Sequence, residues 1–339
     1  MKKALFAILV CCGARTELAA PELADTDAAT TSDAGDSGKD GQSEPPSPCI
    51  ATAPTLLASG GKEIQFVALD HDDVYWTDFA TGNLSAVSKA GGGKRLIAPM
   101  RDSPSGLVVV GPTVYWAEFG AGDVMSTPSV GGGAFTTIAT NQDGAFDIAA
   151  ASDGIYWTTV QSCAVAVSED GGKAHVLIHG KQPFTAITST DDQVFWVSID
   201  EKIIARYDVA SGNVSTLLSV DALDLPSTLA TDGNNVYFGG ISPSALVVSS
   251  IPIVGGNPQP LFSEDCGDSG ATRCIGDVAT DGDFVYFTSP TDVRKVATSG
   301  GAATTIATGQ ARPFAVAVDD RCVYWSNLAD GTVWAAPKK

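Results

Sequence analysis

Seven cysteines and three histidines are the residues of this 339-residue chain best suited to redox, nucleophilic or metal chemistry. No two cysteines have the Cys-x-x-Cys spacing of a zinc site, and no Gly-x-Ser-x-Gly turn or Walker phosphate loop occurs. In the repeat pattern described below, His71 lies in a turn, and His175 and His179 flank a fourth strand of another repeat, away from the axis. We therefore expect them to share neither a metal nor a catalytic triad. The sequence therefore predicts no catalytic residue, no metal ligand and no cofactor.

The first residues have the pattern of an export signal. Lys2 and Lys3 precede an apolar run at residues 4–10 that is too short to span a bilayer. The run Leu9-Val10-Cys11-Cys12 resembles a bacterial lipoprotein signal, which implies lipidation of Cys12. We expect a signal over residues 1–14 and a lipoprotein of the cell envelope, in the outer membrane or the periplasm. Cleavage after Ala14, which gives a secreted protein, is the alternative.

Residues 15–50 have no hydrophobic periodicity and consist mostly of Asp, Ser, Thr, Gly and Pro. Such a segment buries too little apolar surface to offset chain entropy, so it predicts a disordered acidic linker. We expect this linker to hold the following domain away from a membrane, and a low-complexity region without a role is the alternative. The whole chain has 39 acidic against 20 basic residues and a net charge of −19. This balance excludes nucleic acid as a partner, because phosphate backbones require a basic surface.

One aromatic motif recurs about every 40 residues after the linker, the period of a four-stranded propeller blade. Its seven copies are Val74-Tyr75-Trp76, Val114-Tyr115-Trp116, Ile155-Tyr156-Trp157, Val194-Phe195-Trp196, Val236-Tyr237-Phe238, Val285-Tyr286-Phe287 and Val323-Tyr324-Trp325. Each copy follows an apolar run and a tight turn, and two further short runs follow it. Large aromatics at successive positions indicate a strand that neighbouring blades cover on both faces.

The sequence therefore predicts an all-β fold, a seven-bladed β-propeller over residues 51–339. The last repeat stops after its third strand, at residues 332–336. Residues 54–60 are similar to the fourth strand of the preceding repeat, at residues 304–309. We expect this N-terminal strand to complete the last blade, because that pairing closes the ring and removes exposed edges.

Tyr75-Trp76-Thr77-Asp78 is a literal YWTD motif, and the frame around it resembles the YWTD propellers of the low-density-lipoprotein-receptor type and the NHL-like and TolB-like bacterial propellers. The likeness covers about residues 54–339, although the other copies keep only part of the motif. The resemblance implies a propeller that binds proteins or small ligands, and it carries over no catalytic residue. YWTD propellers usually have six blades, so a six-bladed ring is the alternative.

Five cysteines follow the signal, and export makes disulfides possible. Cys266 and Cys274 flank seven residues in the longest connection between repeats, and we expect them to form a local bridge. Cys322 opens the second strand of the last blade, and Cys49 precedes the strand lent to that blade, so a second bridge is expected there. Cys163 is expected to stay unpaired.

The loops after the aromatic strands share one face of the ring with the connections between blades, and loops at one end of a rigid scaffold often carry function. We expect a recognition surface on this face, and an ordinary solvated acidic surface is the alternative. Its candidate residues are Asp78, Glu118, Phe184, Asp200, Asp292, Arg312 and Asp330.

These features predict an exported, lipid-anchored and monomeric propeller that acts as a non-catalytic binding or scaffold module for a protein, peptide or glycan. Its only contact with a membrane is expected to be the lipid anchor. The alternative is a propeller enzyme of the lactonase or lyase kind with a metal in the central channel, but the first strands offer mostly Ala, Val, Ile and Thr for that channel.

Overall fold

The computed structural model describes residues 53–161, 164–169, 174–180, 183–199, 201–219, 225–241, 245–265 and 275–338. Within these ranges all regular structure is β-strand, and none of the described residues form a helix that could cross a membrane. The strands are β1 (Thr55–Ala58), β2 (Ile64–Leu69), β3 (Asp73–Asp78), β4 (Asn83–Ser88), β5 (Arg95–Ala98), β6 (Pro104–Val110), β7 (Thr113–Glu118), β8 (Asp123–Pro128), β9 (Thr136–Ala139), β10 (Ala145–Ala151), β11 (Gly154–Thr159), β12 (Ala164–Glu169), β13 (His175–His179), β14 (Phe184–Ser189), β15 (Gln193–Ser198), β16 (Ile203–Asp208), β17 (Asn213–Ser219), β18 (Leu225–Thr231), β19 (Asn235–Ile241), β20 (Ala245–Pro252), β21 (Gln259–Asp265), β22 (Val278–Thr280), β23 (Phe284–Thr288), β24 (Val293–Ala297), β25 (Thr304–Ala307), β26 (Pro313–Val318), β27 (Cys322–Asn327) and β28 (Thr332–Pro337).

The strands form seven four-stranded antiparallel sheets, each of which is one blade. Blades 1 to 6 are β2–β5, β6–β9, β10–β13, β14–β17, β18–β21 and β22–β25, and blade 7 has the order β1-β28-β27-β26. The first strands of successive blades lie beside one another and surround the central channel. The predicted seven-bladed propeller is confirmed, and the six-bladed alternative is wrong.

The two ends of the chain close the ring in blade 7. Strand β1 pairs antiparallel with β28, with Thr55 opposite Ala335 and Leu56 opposite Trp334. Just after β1, the amide of Gly61 donates a hydrogen bond of 3.0 Å to the carbonyl of Gly331. The prediction that an N-terminal strand completes the last blade is therefore confirmed, and β28 is not left as an open edge.

The repeated aromatic pairs form the core between blades. All of these residues are buried except Tyr115, which is half-buried. Trp76, for example, packs in one cluster with Tyr324 of blade 7, and Trp116 packs in another with Tyr75 of blade 1. Each aromatic strand thus has packing partners on both faces, as the sequence predicts, and this packing fixes the angular position of every blade.

A β-bulge interrupts the pairing of the first strand in most blades. It lies between Ile64 and Phe66 in blade 1 and between Ala145 and Ile148 in blade 3. A bulge places two residues of one strand opposite a single residue of its partner, and this changes the direction of nearby side chains. Side chains at and beside these bulges line one end of the channel.

Candidate ligand-binding site

The register of the strands confirms which loops share a face. Ile64 at the start of β2 lies opposite Asp78 at the end of β3, and the amide of Phe79 donates to the carbonyl of Glu63 across 3.0 Å. In blade 2 the amide of Phe119 donates in the same way to the carbonyl of Ser103. The loops after the aromatic strands therefore surround the end of the channel at which the first strands begin. We call this end the channel mouth.

Three of the seven candidate face residues are buried. Asp78 is 3 % exposed, Glu118 is 2 % exposed and Phe184 is 1 % exposed. Arg312 and Asp330 are exposed, and Asp292 is half-buried. Asp200 lies outside the described residues. Burial removes Asp78, Glu118 and Phe184 from the surface that a partner could touch, while the recognition surface itself stays a prediction.

The carboxylates of Asp78 and Glu118 have structural partners instead. Asp78 accepts hydrogen bonds from the backbone amides of Lys62, Glu63 and Thr81 at 2.9–3.1 Å, so it holds the start of β2 against the turn after β3. Glu118 forms an ion pair with Arg101 and accepts a 2.9 Å hydrogen bond from the indole of Trp116. These bonds satisfy carboxylates that would be costly to bury alone.

Of the four cysteines in the predicted disulfides, Cys322 lies within the described residues. It is fully buried at the start of β27 and is disulfide-bonded. All other cysteines lie outside the described residues, so its partner does too. Its pairing with Cys49, the bridge between Cys266 and Cys274, the unpaired state of Cys163 and the lipidation of Cys12 stay predictions.

The histidines do not approach the channel. His71 is exposed in the turn between β2 and β3, where its ring lies 2.7 Å from the carboxylate of Asp72. His175 and His179 begin and end β13, the outermost strand of blade 3. Among the described residues, no three His, Cys, Asp or Glu side chains come together in a metal-binding arrangement.

A cavity of about 170 Å³ lies at the channel mouth. Four half-buried phenylalanines connect it with the surrounding loops: Phe66, Phe79, Phe119 and Phe146, which we call the phenylalanine cluster. The ring centres are 5.5 Å apart for Phe66 and Phe146, 6.4 Å for Phe119 and Phe146, and 5.8 Å for Phe79 and Phe119. Phe66 and Phe146 also line the cavity itself. This cluster leaves aromatic surface accessible at the mouth of the channel, unlike the aromatic pairs between blades.

Two aspartates, Asp147 of blade 3 and Asp277 of blade 6, line the same cavity. Each carboxylate accepts the amide of the following residue and an amide of the next blade. Asp147 accepts from Ile148 at 2.9 Å and from Ile187 at 3.0 Å. Asp277 makes the equivalent bonds to Val278 and Val316 at 2.8 and 3.1 Å, and it also accepts from the Thr228 hydroxyl. Both residues therefore link neighbouring blades at the channel wall.

Burial raises the pKa of both channel aspartates. Both side chains keep a little accessible surface toward the cavity, but protein atoms surround them on the other sides. Desolvation raises the pKa of Asp147 to about 7; its two amide hydrogen bonds oppose this change, and the negative charge of Asp277 adds to it. Desolvation also raises the pKa of Asp277, against its bonds with Thr228, Val316 and Val278. Asp147 thus changes its charge close to neutral pH.

The two channel aspartates become recognisable when the first strands of the seven blades are aligned with one another. In each blade, one first-strand residue lies opposite the second aromatic of the motif, as Ile148 lies opposite Trp157 in blade 3. The residues that come just before this position in blades 1 to 7 are Phe66, Gly106, Asp147, Ala186, Thr228, Asp277 and Ala315. Only blades 3 and 6 have a carboxylate at this position. The first strands consist mostly of Ala, Val, Ile and Thr, and these two aspartates are the acidic exceptions that reach the cavity.

Seven closed four-stranded blades with β1 completing the last define the chain as a seven-bladed β-propeller. No family model matches the sequence, and no curated protein matches it at a significant level. Its fold is similar to that of a streptogramin B lyase, with a TM-score of 0.69 and 14 % identity over 83 % of this chain and 95 % of the lyase. Selenomethionine-substituted virginiamycin B lyase from Staphylococcus aureus gives a TM-score of 0.68 at 13 % identity, over 83 % of this chain and 97 % of that one.

A structure of a nidogen/laminin complex is also similar, with a TM-score of 0.53 and 18 % identity over 69 % of this chain and 94 % of the other. Identities this low establish a shared propeller architecture and nothing about the ligand or the chemistry.

Proposed function

We propose that this propeller is a non-catalytic binding module and that its ligand, a protein, peptide or glycan, docks at the channel mouth. The observation that supports this most is the phenylalanine cluster, which is half-buried and borders on a cavity. Concave apolar surface next to a few polar groups is the usual composition of a binding site. Aromatic rings also bind well the apolar face of a sugar or an aromatic side chain.

The exposed members of the predicted face extend this site. Arg312 and Asp330 lie in blade 7, in the connection before β26 and in the loop after β27. Asp330 accepts a hydrogen bond of 2.6 Å from Thr332, so its loop has a defined shape. We propose that these polar side chains contact the rim of a bound ligand, while the phenylalanine cluster supplies most of the affinity.

A glycan and peptide array probed with the purified protein tests this proposal. The variant Phe79→Ala/Phe119→Ala should lose the ligands that the wild-type protein retains. Val130→Ala, which shortens an exposed apolar side chain in the turn between β8 and β9, is the matched control and should retain them. Array binding that is equal in all three proteins would contradict a site at the channel mouth.

The alternative, a propeller enzyme with a metal in the channel, has support from the fold shared with the lyases. One similar structure is a catalytically inactive histidine-to-alanine variant of virginiamycin B lyase with quinupristin. The three histidines of the present chain lie on a turn and on the outermost strand of blade 3, away from the channel. Among the described residues, the two channel carboxylates have no third His, Cys, Asp or Glu beside them that would complete a metal-binding group. Cleavage of quinupristin by the purified protein would nevertheless favour the enzyme.

We also propose that the module is exported and attached to the cell envelope through a lipid on Cys12. The signal pattern and the acidic linker support this proposal, and so does the disulfide at Cys322, because disulfides persist in oxidising compartments. Mass spectrometry of the mature protein would identify a diacylglyceryl modification at Cys12, or else cleavage after Ala14.

A further inference from the structure

The cavity at the channel mouth contains an unusual set of hydrogen-bond acceptors. Asp147, Asp277 and Thr185 line it from blades 3, 6 and 4. The two aspartates are the only titratable side chains among the described residues that line it. No lining cation among the described residues balances their charge, although the carboxylates interact electrostatically with each other across the cavity.

The hydroxyl of Thr185 is an independent sign of a missing partner. Thr185 is 6 % exposed, and its Oγ1 makes no hydrogen bond with any described group. Its position beside Asp147 is fixed through Thr158, whose hydroxyl donates to the carbonyl of Thr185 at 3.3 Å and accepts from the amide of Asp147 at 3.2 Å. Buried hydroxyls are nearly always paired in native proteins, so an unpaired one in a cavity wall calls for a partner.

The carboxylates also retain capacity for further bonds. Each oxygen of Asp147 accepts one amide, and a carboxylate oxygen can accept two hydrogen bonds. The same applies to the oxygen of Asp277 that accepts the amide of Val316. A donor placed between the two aspartates would satisfy these positions and reduce the repulsion between the charges.

We propose that the cavity binds a primary ammonium group of the ligand, held by Asp147, Asp277 and Thr185, while an aromatic or apolar part of the same ligand packs on the phenylalanine cluster. This inference rests on the proposed binding function and names the chemical class of its ligand. An ammonium group has three N–H donors and a compact positive charge, which match one hydroxyl and two carboxylate acceptors. A lysine side chain of a peptide and an amino sugar both provide this group.

The test compares 2-phenylethylammonium with 2-phenylethanol, which has the same ring but no charge. In a titration at pH 8 followed by calorimetry, the wild-type protein should bind the amine about tenfold or more tightly than the alcohol, because a hydrogen bond to a charged group is stronger than a neutral one. The preference should decrease at pH 5, where Asp147 is protonated. Acetyl-Phe-Lys-amide and chitosan dimer, titrated in parallel at about pH 7 because most of the amino-sugar amine is already neutral at pH 8, identify whether a peptide or an amino sugar is the better source of the ammonium group.

Variants separate this inference from the proposed function. Thr185→Val, which removes only the unpaired hydroxyl, should weaken amine binding relative to alcohol binding, and Asp147→Asn should abolish the preference. Asp320→Asn, an exposed carboxylate in the turn before β27, is the charge-matched control and should keep it. Equal affinity of the wild-type protein for the two compounds would overturn the ammonium site and leave the binding module intact. Binding of neither compound would count against both.

Discussion

The hydroxyl of Thr77 in blade 1 donates a hydrogen bond of 2.6 Å to the backbone carbonyl of Ser105 in the first strand of blade 2. The same bond recurs at Thr158, Thr288 and Ser326, and in blade 7 it reaches the carbonyl of Ile64 and closes the ring at 3.0 Å. The third position of the YWTD-like motif is thus a link between blades. Where blade 2 has Ala117 at this position, Ser105 donates to the carbonyl of Ala145 instead.

Replacement of Thr77 tests the value of this link. Thr77→Val keeps the shape of the side chain and leaves the buried carbonyl of Ser105 without its partner, which should lower the free energy of unfolding by about 1–3 kcal/mol. Thr77→Ser keeps the hydroxyl and should cost less. Urea denaturation followed by tryptophan fluorescence measures both; a Val variant as stable as the Ser variant would show that the bond contributes nothing.

The aspartates in the turns between the first and second strands of four blades have a structural role. In blade 5, Asp232 accepts the amides of Asn234 and Asn235 and, at 2.8 Å, the hydroxyl of Tyr237. Asp70, Asp281 and Asp319 make the equivalent bonds in blades 1, 6 and 7. In Asp232, burial raises the carboxyl pKa, but these hydrogen bonds outweigh burial and the net shift is downward.

Tyr237→Phe should therefore destabilise the protein by about 0.5–1.5 kcal/mol, because it removes one hydrogen bond to a half-buried turn carboxylate. Tyr115→Phe is the matched control, since blade 2 has Gly111 and Pro112 at its turn in place of an aspartate. Thermal unfolding followed by circular dichroism should show a lower Tm for the first variant and almost no change for the second. A reversed order of the two Tm values would contradict the role of the turn.

Much of the fold could be predicted from the sequence because large buried residues recur at the same position of every repeat. The aromatic triplets, the Gly-containing turns and the unpaired last strand together specify blade number and closure. The direction of a polar side chain in a loop could not be predicted in the same way. As acidic loop residues, Asp78 and Glu118 are expected at an exposed rim. Both are buried instead, because backbone amides donate hydrogen bonds to Asp78 and Arg101 forms an ion pair with Glu118.

The candidate ligand-binding site could not be predicted from the sequence for a related reason. Asp147 and Asp277 occupy positions where the other blades have small, apolar or hydroxyl residues. The direction of Asp147 depends on the β-bulge between Ala145 and Ile148, and no local sequence pattern indicates that bulge. The phenylalanine cluster joins residues of three blades that are up to 80 positions apart, from Phe66 to Phe146. A contact of this kind depends on ring closure and packing, which single-sequence patterns do not specify.

Strand β1 offers a test of ring closure with an internal control. Leu57 is 9 % exposed and packs in the core with Trp76 and Tyr324, whereas Leu56 beside it is 47 % exposed. Leu57→Ala should lower the free energy of unfolding by about 2–5 kcal/mol because it leaves a cavity between blades 1 and 7. Leu56→Ala should change it by less than about 0.5 kcal/mol. Equal effects in denaturant titrations would mean that β1 does not close the ring in solution.

The disulfide at Cys322 yields a prediction about its partner. If Cys49 is the partner, Cys49→Ser and Cys322→Ser should each remove the same cross-linked peptide from a non-reducing digest and lower the Tm to a similar extent. Each substitution should lower the free energy of unfolding by about 2–4 kcal/mol, because the bridge closes a very long loop in the unfolded chain. Cys163→Ser is the control and should change neither. A cross-link from Cys322 to any other cysteine would contradict the assignment.

The channel aspartate Asp147 should make stability depend on pH near neutrality. Its pKa is about 7 in the folded protein and about 3.9 in an unfolded chain, so between these values the native state binds a proton that the unfolded state does not. The free energy of unfolding therefore decreases as the pH rises, and the contribution of Asp147 to the Tm should decrease between about pH 4 and about pH 7. In Asp147→Asn this decrease should disappear, whatever its absolute Tm, while Asp320→Asn should retain the wild-type profile. Parallel pH profiles of the wild-type protein and Asp147→Asn would show that the carboxyl is ionised throughout this range and that the channel is better hydrated than its geometry indicates.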